Sequence, residues 1–345
     1  MSSVSDPQQP MGEGHAGPSR ILDLFRSNRE KQPPARRDVI VVTNPSAGQD
    51  QPFLKLLNSV FKTANLTWDV RLTMQEGDGK LLAEEAVARG AKVVVAFGGD
   101  GTVVDVASGL IGTKVPLGIL PGGTSNMMSR AFNIPQDLES AAALIASHYS
   151  GQAYPVYIGK ANDHYFQQLI GIGTQAQMVE GADRSAKDRL GFFAYILAGL
   201  RALSNPQNAR YRIELDNGQV VEEEGVTCLV AKVGNLGIPS LEQAPTTADP
   251  DAPLLDIVIV RQANLPALLS LAGTVISGNE DAQNMLHWQA RRVRVSSTPQ
   301  QTIQADGEMI GTTPITVEIL HPPVRLIVPA GTLEKKQEMK SAKPG

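Results

Sequence analysis

Residues 93–126 read VVVAFGGDGTVVDVASGLIGTKVPLGILPGGTSN. An apolar run, Val93 to Phe97, stops abruptly at Gly98-Gly99-Asp100-Gly101-Thr102. A second run, Val115 to Leu120, stops at Pro121-Gly122-Gly123-Thr124-Ser125-Asn126. The pattern predicts two buried strands, each ending in a glycine turn that opens a helix. In a parallel sheet both turns fall at the carboxyl edge, where open α/β sheets bind ligands. Glycine lets several backbone N–H groups converge on one anion with no Cβ in the way. Thr102 and Thr124 add hydroxyl donors, and the helix starts add partial positive charge. One such turn alone would read as a plain strand-to-helix connection. Two of this composition predict a polyphosphate site, and the absence of GxxxxGK[ST] excludes a Walker-type one.

The flanking chain supports a doubly wound parallel sheet. Asp38 to Thr43 reads as a β-branched strand that turns at Asn44-Pro45-Ser46-Ala47-Gly48. Pro45 fixes φ there and Gly48 permits the bend. Phe53, Leu54, Leu56, Leu57, Val60 and Phe61 recur at helical spacing; Thr67 to Thr73 reads as a strand, and Leu81 to Ala88 and Asp137 to Ser147 as helices. This alternation is the βαβα rhythm of an α/β domain, over residues 38–150.

After residue 151 strands dominate, which predicts a β-rich sandwich over 151–330. The runs are Tyr154 to Gly159, Tyr165 to Gly171, Arg210 to Leu215, Val220 to Glu224, Val226 to Val233, Leu254 to Arg261, Arg292 to Ser296, Thr302 to Ala305, Ile315 to Ile319 and Val324 to Val328. Asp216-Asn217-Gly218 signals a hairpin. Leu190 to Leu203 and Leu265 to Ile276 read as helical interruptions. Residues 1–37 form an arm whose first part is Ser-, Pro- and Gln-rich. Its second part carries Ile21, Leu22, Leu24 and Phe25 among arginines, a pattern able to lie on an anionic membrane. A polar tail, 331–345, closes the chain.

Composition narrows the class. Hydrophobic residues make up 42% of the 345 positions and charged residues 19%, as in ordinary globular proteins. The net charge of −4 gives no reason to expect nucleic acid. A single cysteine, Cys228, excludes a disulfide framework and reads as a small core residue. No apolar run reaches membrane-spanning length and no signal peptide is recognisable, so the expectation is a cytoplasmic protein. His15, His148, His164, His287 and His321 show no zinc-ligand spacing, and GxSxG is missing. Gly171-Ile172-Gly173-Thr174-Gln175-Ala176 matches GxGxxA but lacks the βαβ context of a dinucleotide site.

Four motifs in this order resemble the diacylglycerol kinase catalytic-domain superfamily, which also contains sphingosine kinases and bacterial lipid kinases. They are Asn44-Pro45-Ser46-Ala47-Gly48, Gly98-Gly99-Asp100-Gly101-Thr102, Gly123-Thr124-Ser125-Asn126 and Asp306-Gly307-Glu308. The resemblance spans roughly residues 38–330. It implies an ATP-dependent lipid kinase: nucleotide phosphates on Gly98, Gly99, Asp100, Gly101, Thr102, Gly123, Thr124 and Asn126, with Asn44, Pro45, Gly48 and Thr73 nearby. It further implies that Asp306 or Glu308 takes the proton from a lipid hydroxyl, a weak nucleophile until a base accepts it; both remain candidates. Asp100, an anion among phosphate-binding glycines, calls for Mg²⁺ delivered with ATP; the alternative is a cap on the helix near Thr102. Relatives carry acidic residues where this chain has Met127 and Ala252. The family's structural Mg²⁺ site, here at Asp251 and Leu254, is therefore expected to be weakened. The implied partner is a lipid at a membrane surface, with peripheral contact through the basic arm; a homodimer stays open. Two other readings share GGDGT: a small-molecule kinase of the NAD-kinase type, and a non-catalytic nucleotide- or lipid-binding regulator.

Overall fold

The computed structural model describes residues 37–45, 52–148, 153–173, 208–232, 253–261 and 285–332. The arm through residue 36, Gly48, Asp251, the segments 190–203 and 265–276, and the polar tail from residue 333 lie outside them.

The first lobe runs β1 (Val39–Thr43), α1 (Phe53–Thr63), β2 (Trp68–Leu72), α2 (Asp78–Ala88), β3 (Val93–Gly98), α3 (Asp100–Leu110), β4 (Leu117–Pro121), α4 (Met127–Ala131) and α5 (Leu138–His148). β1 and β3 are buried at every position, as β-branched strands covered on both faces must be. The strand order is β2-β1-β3-β4, all parallel. The chain leaves β1 toward β2, then returns to place β3 on the other side of β1. That reversal puts the topological switch between the carboxyl ends of β1 and β3, where such sheets open a crevice. Helix α2 packs on α3 closely enough that a Cβ on Gly109 would stand 2.5 Å from the Lys80 carbonyl oxygen.

The second lobe is a sandwich of two six-stranded sheets. One has the order β10 (Val220–Gly225), β9 (Ala209–Leu215), β14 (Arg292–Thr298), β17 (Ile315–Ile319), β6 (Gly159–Ala161), β7 (His164–Phe166). The other has β13 (Met285–Ala290), β12 (Leu255–Val260), β11 (Thr227–Lys232), β8 (Leu169–Gly173), β15 (Thr302–Ala305), β16 (Glu308–Thr312). Alternate residues of β9, β14 and β17 enter a shared core with Ile170, Cys228, Val230 and Ile257. Burial pushes the Cys228 thiol up to about 12, in keeping with a packing role.

Three expectations need correcting. Tyr154 to Gly159 is two strands: β5 (Tyr154–Val156) stays in the first sheet, antiparallel to β18 (Val324–Leu326), while β6 enters the sandwich. β18 itself is parallel to β4. The first sheet therefore takes its last two strands from both ends of the stretch read as the second domain. The chain crosses between lobes at Tyr157-Ile158 and Leu320 to Pro323, pinned where Leu320 N donates to Ile158 O at 3.0 Å. Tyr165 to Gly171 is likewise two strands, β7 and β8, in opposite sheets and broken at Gln167-Gln168. β13 and β16 were unanticipated; β16 is exposed at four of its five positions and so lacks the apolar alternation that marks a strand.

Candidate active site

The carboxyl edge of the first sheet gathers the predicted residues. Asn44 follows β1, Thr73 follows β2, Gly99 follows β3 and Gly122 follows β4. Thr73 N donates to Thr43 O at 2.9 Å, extending the β1–β2 ladder to the edge. The two glycine turns lie against one another. Gly122 N donates to Gly98 O at 2.9 Å. A Cβ on Gly123 would fall 2.6 Å from Gly99 Cα, a separation only glycine permits. Thr102 folds back over Gly98, where a Cβ would stand 2.6 Å from its Oγ1. At Gly101 a Cβ would meet nothing within 4 Å, so the backbone there faces open space.

Asn126 holds the second turn in shape. It adopts φ +46°, accepts from Gly123 N at 3.0 Å and donates to Gly123 O at 2.8 Å. Asp100 ties the turns together: its Oδ1 accepts from Met127 N at 2.7 Å. Gly99 is the N-cap of α3, Asp100 is the first residue of that helix, and its carboxylate reaches to the start of α4. A backbone amide at a helix start attracts an anion, and α4 has no side-chain cap of its own.

A cavity of about 850 Å³ opens between the lobes. Asn44, Pro45, Thr73, Asp100, Gly101 and Thr102 line it from the α/β side, and Asp306 and Glu308 from the sandwich. Gly98, Gly99, Gly123, Thr124 and Asn126 stand behind these as the frame of the turns rather than as cavity lining. Leu254 is described but is not part of this cavity.

The two acidic candidates have different surroundings. Asp306 begins the turn between β15 and β16 with φ +48°. Its Oδ2 accepts from Gln167 N at 2.5 Å, and its Oδ1 from Gln168 N at 2.9 Å and Leu169 N at 3.0 Å. Its own N–H donates to Leu169 O at 2.9 Å. The amides freed by the β7–β8 break are thus satisfied by one carboxylate. Glu308 is exposed into the cavity. Lys232, at the end of β11, donates from Nζ to Tyr157 O at 2.9 Å in the lobe crossing. Burial lowers its ammonium to about 8, against the opposing attraction of Asp306.

Several lining residues were not singled out from the sequence. Asp105 is one turn along α3 from Thr102 and accepts from Gly77 N at 3.1 Å. Burial raises its carboxyl, helped by the nearby Glu76 and Asp78. Lys80 lies 5.7 Å from the Tyr165 ring centroid, reaching from α2 to β7. Gln167 is buried and donates from Nε2 to Asp100 O at 3.1 Å. Helical spacing from Thr102 could have found Asp105, and a polar pair interrupting an apolar run could have flagged Gln167. Nothing local marks Lys80.

Two family models match: the diacylglycerol kinase catalytic domain over residues 38–160, and the YegS C-terminal NAD kinase beta sandwich-like domain over 168–328. A Bacillus subtilis diacylglycerol kinase is 28% identical over 302 residues, covering 86% of this chain and 97% of that protein. An uncharacterized Synechocystis protein is 33% identical over 251 residues; the match covers 71% of this chain and 57% of that longer protein. A crystal structure of a Bacillus anthracis diacylglycerol kinase superposes with a TM-score of 0.62 at 26% identity, covering 87% of this chain and 99% of that one. With an α/β lobe, a sandwich lobe and all four motifs in order, the chain belongs to the diacylglycerol kinase catalytic-domain superfamily.

Proposed function

We propose that the protein is an ATP-dependent lipid kinase that moves the γ-phosphoryl group of ATP to the hydroxyl of a diacylglycerol- or sphingosine-like lipid. One observation carries most of this reading. Two glycine turns are clamped together at the carboxyl edge of a parallel sheet, and an exposed glutamate lines the same cavity as the first of them. Backbone N–H groups around Gly101 and Thr102 and the Thr102 hydroxyl, which line the cavity, would receive phosphate oxygens. Bound MgATP would supply the phosphoryl group and the cation that offsets its charge. Asp100, Asp105 and Glu76 give the cavity wall carboxylates that tolerate such a cation. Among the described residues no three His, Cys, Asp or Glu side chains converge as a metal site of their own.

Of the two candidate bases, Glu308 suits the role better. Asp306 already accepts three amide hydrogen bonds, which occupy its lone pairs. Glu308 takes the acceptor hydroxyl's proton, the alkoxide oxygen bonds to the γ-phosphorus, and ADP departs with the bridging oxygen. The chain contributes mainly alignment. Ile310 and the exposed Met74 line the cavity and suit a lipid acceptor. No described helix is long and apolar enough to cross a membrane, so the lipid would be met at a surface, with the basic arm aiding contact.

The test is incubation with Mg²⁺, labelled ATP and a panel of lipids containing diacylglycerol, ceramide and sphingoid bases. Label in one lipid class, lost in Glu308→Gln, is the expected result. Label on NAD alone, or on no acceptor, would overturn the reading.

A further inference from the structure

The two lobes must hold a fixed separation if a base on one is to serve a phosphate bound on the other. Gln167 lies where the two halves of the cavity meet. It is polar, yet only 2% exposed. It sits in the break between β7 and β8, so its backbone and its side chain are free of both sandwich ladders. Its backbone N–H seats Asp306 Oδ2, and its side-chain Nε2 crosses the cleft to the Asp100 carbonyl at 3.1 Å. Asp100 in turn receives Met127 N on its carboxylate. Four hydrogen-bonded groups thus run from the acidic turn, through one buried amide, to both glycine turns. A second side-chain contact across this part of the cleft, Lys80 near the Tyr165 ring, is only half-buried. A solvated contact of that kind fixes geometry weakly.

We propose that Gln167 is a positioning residue, whose buried side-chain amide locks the phosphate turn at Asp100 to the loop that seats Asp306 and so fixes Glu308 opposite the phosphates. The inference rests on the kinase reading above, and it adds a residue whose side-chain amide is engaged by the chain itself, at the Asp100 carbonyl. It makes a directional claim. Losing the side-chain amide leaves the Asp306 seat intact, because that seat uses the Gln167 backbone. The nucleotide site also survives, because it belongs to the other lobe. Only the relation between the two is lost. A displacement of about 1 Å at a reacting pair can cost about 100-fold in rate.

The experiment compares the full chain with Gln167→Met, which keeps the volume, and Gln167→Asn, which keeps the amide but withdraws it by one methylene. Each is assayed for kcat and KM with MgATP and the preferred lipid, alongside thermal melting. The expected result is a kcat lower by about 10- to 100-fold in both variants, with KM for ATP within about threefold of wild type. Wild-type kcat in either folded variant would overturn the inference. So would a loss explained entirely by a smaller folded fraction at unchanged kcat per folded molecule. If Gln167→Met fails to fold, Gln167→Asn carries the test. If the wild-type chain phosphorylates no lipid, it is the kinase reading that fails, and the variants are then read through nucleotide affinity: loss of MgATP binding in Gln167→Asn would contradict a purely positioning role.

Discussion

The two lobes build their halves of the site in opposite ways. The α/β lobe makes its half locally: each strand ends in its own turn, and ties such as Met127 N to Asp100 and Thr73 to Thr43 join residues 27 and 30 positions apart. The sandwich makes its half at long range. Asp306 is seated by amides 137 to 139 positions earlier, from a break between two strands of different sheets. Both carboxylates are spent on backbone amides, yet only Asp100 stands among turns made for an anion. The difference teaches that an acidic residue in a kinase-like motif can be bound up in scaffolding, which is why the exposed Glu308 is the proposed base.

The largest expected effect separates those two roles. Glu308→Gln is expected to lower kcat by at least about 100-fold, the usual worth of a general base, while ATP affinity and melting temperature stay put. Asp306→Asn is expected to do the reverse. Asn tolerates the positive φ, but its amide nitrogen must face the Gln167 N–H, costing about 1–3 kcal/mol of stability for a mismatched buried donor. Chemical denaturation of both variants beside steady-state assays reads out the pair; equal stability losses, or Asp306→Asn as the more damaging change to kcat per folded molecule, would erase the distinction.

A smaller effect probes the local half. Gly123→Ala places a Cβ 2.6 Å from Gly99 Cα, so the turns must part. The strain of such overpacking is about 1–3 kcal/mol, and calorimetry should show ATP binding weakened by about tenfold or more. Undiminished affinity would mean that close apposition of the turns is irrelevant to the nucleotide.

A further effect, on stability alone, is a pH dependence at the lobe crossing. The Lys232 ammonium is lowered to about 8 by burial, while an unfolded lysine titrates near about 10.4. Between those values the unfolded chain binds more protons, so this residue's contribution to stability rises with pH. Below 8 both states are charged and the burial penalty stands in full. Lys232→Met should therefore gain most over wild type in melting temperature at pH 7, and the gap should shrink from pH 8 to 10. A gap that does not move with pH would show that burial does not perturb Lys232.

How much was legible follows the same division. Strands ending in glycine, with helical spacing after them, announced the parallel sheet and the glycine turns at its carboxyl edge, because each is set within one strand–turn–helix unit. Asp306 and Glu308 were found by motif, but their roles could not be assigned: what decides between them is which amides lie opposite, and Gln167 to Leu169 are remote in sequence. Tyr154 to Gly159 and Tyr165 to Gly171 each looked like one strand because apolarity does not report a change of sheet. β16 was invisible because its side chains are mostly exposed, and Val324–Leu326 joined the first sheet through a pairing no local pattern encodes.

The central claim is that the phosphate chain binds at the first glycine turn and that the second, clamped against it, is held in place by the same event. Hydrogen exchange of the amides at Gly98–Thr102 and Gly122–Asn126, with and without MgATP, tests it most directly. The account predicts that both segments slow together, at the same nucleotide concentration, and that Gly123→Ala weakens both. Protection of one segment alone, or of neither under saturating MgATP, would contradict it.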